Sequence, residues 1–200
     1  IAAGEQALTW AISVRDVDLE GRVRLCLTYG LIRLGRVGEA ASLLEGYLRG
    51  MRKNKPWRRR ECLARFNLGF CYRQSGHLLE AAEQYKKALK VPDHGDGLYP
   101  QIRQNLAWVL LLLGDTAGAR EELALVAESV REDLSLARLT SLWVDRAALY
   151  LLEGNLAEAK EACQQVLHAL DEKGRAAHLA TTYVTLGRIA LAEGNTLQAQ

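Results

Sequence analysis

The 200-residue sequence predicts an all-α fold, a right-handed α-solenoid of antiparallel helix pairs. Three observations predict it. Glycines recur at 35, 76, 114, 154 and 194, at intervals of 41, 38, 40 and 40 residues, and self-similarity at such a period marks stacked-repeat architectures. An alanine follows each glycine by five residues, at 40, 81, 119, 159 and 199. No segment sustains the apolar–polar alternation of a strand, and Pro56, Pro92 and Pro100 all fall between the expected hairpins, where no helix needs their missing N–H.

The elements follow in order. Residues 1–19 hold the second helix of a partial repeat, read from Gly4 to Val14. Repeats are expected at 20–56 (RLGRVGEAASLL around Gly35), 57–99 (QSGHLLEAAEQY around Gly76), 100–133 (LLGDTAGAREEL around Gly114) and 134–173 (LEGNLAEAKEAC around Gly154). A truncated one, with AEGNTLQAQ, occupies 174–200. In each, the glycine ends the first helix because it enters the left-handed region without a Cβ penalty. Asp115, Asn155 and Asn195 stand directly behind three of the glycines as N-cap candidates for the second helix. The alanine sits where the paired helices cross too closely for a larger side chain. Before the glycine runs an apolar helix-length pattern, such as Leu63, Phe66, Leu68, Phe70 and Tyr72.

The stretch ARFNLGFCYRQSGHLLEAAEQYKKALKVP resembles the tetratricopeptide repeat (TPR), through Leu68-Gly69, Tyr72, Gly76, Ala81, Tyr85, Ala88 and Pro92. Arg65 replaces the tryptophan expected near its start, and Ala107 and Ala147 stand where Gly69 stands, while Gly187 restores it. The lengthened period is similar to that of TPR domains in bacterial peptide-sensing regulators and several scaffold proteins. The resemblance implies hairpins stacked around a continuous core, with a concave groove as the binding surface.

Composition removes several function classes. The net charge is +2, and residues 49–61 (RGMRKNKPWRRRE) alone hold seven Lys/Arg and one acid, so the rest of the chain is net negative. That is a local basic joint, without the general field of a DNA binder. The longest apolar run, Leu106–Leu113, is far short of the roughly 20 residues that span a bilayer, so no membrane contact is expected. The four cysteines (26, 62, 71 and 163) form no CxxC pair and read as reduced core thiols of a cytoplasmic protein. The start at Ile1 and the end at Gln200 inside a helical pattern give the expectation of a fragment with other domains outside it.

Catalysis needs convergent groups, and the pattern offers none. The four histidines lack metal-ligand spacing, and the glycines are used at helix ends, leaving no phosphate loop or nucleophile elbow. Cys71, inside a first-helix pattern without a sequence-linked base, reads as a buried structural thiol. HGDG at 94–97 reads as a joint. No enzyme, cofactor or metal site is expected.

By analogy with the resembled family, the sixth and ninth positions of each first helix line the groove. The sixth positions are Cys26, Asn67, Asn105, Asp145 and Thr185; the ninth are Tyr29, Phe70, Trp108, Ala148 and Arg188. A polar ladder of Asn67, Asn105 and Asp145 beside aromatic Tyr29, Phe70 and Trp108 fits capture of a peptide or protein segment. An asparagine amide satisfies both backbone N–H and C=O, aromatic rings receive apolar side chains at low entropy cost, and Arg73 is placed to meet a carboxylate. The same asparagines could instead bond between neighbouring helices, and the same rings could be packing. The lysine/asparagine clamp for an acidic C-terminus is disfavoured, because Leu25, Tyr29 and Gln101 occupy places it would need.

The function expected is therefore non-catalytic recognition in the concave groove, within a larger bacterial protein such as a transcriptional regulator. The alternative is a structural module that packs against its own missing domains or forms a homo-oligomer. A nucleic-acid contact through 49–61 is a minor alternative, since Arg49, Arg52 and Lys53 suit a helix C-terminus and only Arg58, Arg59 and Arg60 oppose a helix dipole.

Overall fold

The computed structural model describes residues 1–51, 58–92, 97–130, 136–170 and 176–194. Among the described residues there are α-helices and no strand: α1 (Ala2–Ser13), α2 (Val17–Arg33), α3 (Val37–Gly50), α4 (Arg58–Gln74), α5 (Leu78–Leu89), α6 (Leu98–Leu112), α7 (Thr116–Val130), α8 (Leu136–Leu152), α9 (Leu156–Ala169) and α10 (Ala176–Ala192). The fold class is all-α, in antiparallel pairs. None of these helices is long and apolar enough to cross a membrane.

The pairs are made by one turn, repeated. Gly35, Gly76, Gly114, Gly154 and Gly194 all have φ between +72° and +79°. Two backbone bonds lock the first four turns. The glycine N–H returns three residues, as from Gly35 to the Ile32 carbonyl at 3.0 Å. The next N–H returns five, from Arg36, His77, Asp115 and Asn155 to the carbonyls of Leu31, Tyr72, Leu110 and Tyr150, each at 2.9 Å. This is the Schellman arrangement, which satisfies carbonyls that a helix end would otherwise leave open. Beyond each turn, Ala40, Ala81, Ala119 and Ala159 are 0% exposed, as close helix crossing requires. Ala199 and Asn195 lie outside the described residues.

The caps divide. Asp115 accepts the Gly118 N–H at 2.9 Å and caps α7. Asn155 precedes α9 without capping it; its amide lies 3.4 Å from a Glu153 carboxylate oxygen instead. The α1–α2 turn departs from the glycine rule altogether. Arg15 takes φ 54°, Asp16 accepts the Leu19 N–H at 2.9 Å, and α2 therefore begins at Val17, inside the 1–19 segment assigned from sequence to the partial repeat.

The chain forms two compact units, Ile1–Asn105 and Leu106–Gln200. In the first, each helix from α1 to α5 packs on the next, and α2 also touches α4. Leu27, Leu31, Leu44, Tyr47, Leu68 and Cys71 form its core. In the second, α7 to α10 pack in sequence and α8 touches α10, around Ala147, Ala159, Ala162, Cys163 and Ile189.

Arg65, standing in place of the family's tryptophan, ties its hairpin together by polar contacts. Its Nε and Nη2 donate to Glu61 at 2.9 and 2.8 Å, and Nη1 reaches Gln84 on α5 at 3.3 Å.

Candidate functional site

The residues singled out from sequence lie on first helices. On α4, Asn67, Phe70 and Arg73 follow one another at three-residue steps, so they share a helix face. All three are half-buried. The Arg73 guanidinium lies 5.1 Å from the Phe70 ring centre, within cation–π range. The Asn67 side-chain amide makes no hydrogen bond among the described residues.

Asn105 lies on α6, and its amide nitrogen donates to the Gln101 carbonyl at 2.8 Å, while its side-chain oxygen has no hydrogen bond among the described residues. A cavity of about 170 Å³ is lined by Arg59 and Leu63 of α4 and by Leu98 and Gln101 at the start of α6, within the first unit. Leu63 and Gln101 each stand one helical turn before Asn67 and Asn105.

The remaining candidates separate from this group. Tyr29 is on α2 and 64% exposed. Trp108, half-buried on α6, and Asp145, on α8, belong to the second unit. Asp145 is only 7% exposed and has an interaction within the fold. Cys26, in the same repeat position as Asn67, lines an apolar cleft of about 500 Å³ between α1 and α2, with Gly4, Ala7 and Val23.

Chemistry elsewhere is subdued. Cys71 is 0% exposed, and burial pushes its thiol up to about 11, so it has no thiolate character at neutral pH. No group of His, Cys, Asp or Glu among the described residues could hold a metal ion. Residues 94–96 of the HGDG stretch and 52–57 of the basic joint lie outside the described residues. Of that joint's other cations, Arg49 faces Glu45 at 3.6 Å, Arg60 pairs with Asp18 of α2, and Arg59 is also engaged.

Two contacts had no signal in the sequence. The Arg60–Asp18 pair joins residues 42 apart. Tyr72 donates to Glu45 at 2.8 Å across 27 residues, and burial, then that bond, pushes its hydroxyl up to about 12. Neither is encoded by local spacing.

Helical hairpins recurring at this interval define a helical-repeat scaffold of the kind that serves protein–protein interaction. Residues 64–92 match the family model described as Tetratricopeptide repeat. That unit is a tetratricopeptide repeat, a non-catalytic module, and the whole chain has the fold of the family. BtubC from P. vanneervenii is similar at 20% identity and TM-score 0.71, with 99% of this chain and 84% of that one covered. MamA from Desulfovibrio magneticus RS-1 is similar at 15% identity and TM-score 0.64, over 90% and 88%. YrrB, described as a TPR protein with an unusual peptide-binding site, is similar at 17% and 0.59, over 96% and 87%. No curated protein sequence matches the chain.

Proposed function

We propose that the chain holds a peptide or protein segment in the groove between α4 and α6 of its first unit. Asn67 and Asn105 engage the segment's backbone, and Phe70, with Tyr29 further along the unit, receives its apolar side chains. The observation that carries this is the Asn67 amide, half-buried on the groove face and without a hydrogen bond among the described residues. An amide not committed to the fold keeps its donor and acceptor available for an incoming backbone. YrrB gives a precedent for peptide binding on this fold.

Such a scaffold would act in the cytoplasm, as its four free thiols suggest, inside a larger bacterial protein whose peptide-responsive part it forms. A helix-turn-helix in the longer sequence would support a transcriptional regulator. The groove itself is tested by peptide-library binding to the wild type and to an Asn67→Ala/Asn105→Ala double variant. A loss of roughly tenfold or more is expected. Unchanged affinity removes the assignment.

A further inference from the structure

Charge is unevenly spread over the first helices of the first unit. α4 carries Arg58, Arg59, Arg60, Arg65 and Arg73 against the single acid Glu61, and α6 has Arg103 and no acid. Most of these first-helix cations have partners inside the fold. Arg60 pairs with Asp18, Arg65 with Glu61 at 2.8 Å, and Arg24 on α2 with Glu20 at 2.9 Å. Arg73 differs. Among the described residues it has no hydrogen bond and no ion pair, and its guanidinium rests over Phe70 at 5.1 Å. Its Nε is buried and unpartnered, so the side chain is set into the face by its stem, while its terminal nitrogens stay solvent-accessible and unpaired. The Tyr85 hydroxyl, in the same hairpin, is a second buried polar atom without a partner, and the positive charge of Arg73 acts on it.

A guanidinium held on an aromatic ring, with terminal donors that have no ion pair among the described residues, is built to receive a planar anion. Six residues before it, on the same face, Asn67 offers an unpaired amide. We propose that the segment taken by this groove is acidic, with an internal aspartate or glutamate side chain received by the terminal nitrogens of Arg73 above Phe70. This rests on the groove being a peptide site. It concerns a side-chain carboxylate, and needs no chain terminus.

The test uses the full chain and two pools of short fluorescent peptides, blocked at both ends and identical except that Asp/Glu in one is Asn/Gln in the other. The acidic pool should bind roughly tenfold more tightly at low ionic strength, with the preference shrinking as salt is added. Arg73→Gln should bring the acidic pool down to the amide pool and leave the latter unchanged, and Arg73→Glu should favour a Lys/Arg pool instead. Equal binding of both pools to the wild type, still lost in the Asn67→Ala/Asn105→Ala variant, would overturn the acidic preference and leave the groove reading standing. A preference that survives Arg73→Gln would overturn the role of Arg73. Failure of both pools to bind would overturn the groove and the acidic segment together.

Discussion

The α4–α5 and α8–α9 hairpins solve one packing problem with different residues. Where α4 meets α5, Gly69 faces Tyr85, and a Cβ built on Gly69 would lie 2.7 Å from the tyrosine ring. At the matching places of α8 and α9 stand Ala147 and Cys163. Tyr85 and Cys163 are both 0% exposed, and Ala147 is 1% exposed. What the two hairpins share is the filled space between the helices, divided differently: nothing against an aromatic ring in one, a methyl against a thiol in the other.

The contrast is broken most strongly by truncating the larger partner. Tyr85→Ala should cost about 3–5 kcal/mol, as aromatic truncations in cores do, whereas Cys163→Ala should cost about 1 kcal/mol, near the loss of one buried group. Urea unfolding monitored by circular dichroism compares them, and similar losses would show that Tyr85 is not the pillar of its hairpin. Gly69→Ala comes next. It should destabilise by about 1–3 kcal/mol through overpacking, and combining it with Tyr85→Leu should recover part of that loss. A double-mutant cycle without coupling would contradict the shared-volume account. The smallest effect separates the caps: Asp115→Ala should lower stability by about 1 kcal/mol, but Asn155→Ala by less than about 0.5 kcal/mol. Equal effects would mean that the hydrogen bond to Gly118 contributes nothing.

These pairs also show how far the sequence could be read. The five glycines were legible because a left-handed φ is a demand that one residue meets locally. The alanines were legible for a similar reason, since contact between helix backbones admits little else. Capping was half legible: Asp115 and Asn155 look alike in sequence, and only the direction of the Asn155 amide towards Glu153 separates them. The start of α2 was missed because Arg15 turns the chain without a glycine. At the candidate site, Asn67, Phe70 and Arg73 could be grouped because helical spacing fixes their common face. The fate of Asp145 could not be read, because its burial depends on helices distant in sequence. The same blindness applied to Arg60, which looked like an uncompensated cation at a helix start until Asp18 was found beside it.

That last contact has a mechanical side. A stack of helix pairs behaves like a leaf spring, bending when its inner edge lengthens or shortens. Arg60 and Asp18 join α4 directly to α2, past the intervening α3, and so act as a catch on one edge of the first unit. The Asp18 side chain is 54% exposed, so dissolved ions reach the catch and weaken it. The link from α4 to α2 is therefore partly set by the surrounding electrolyte, a small contribution beside the packing of α3 between them.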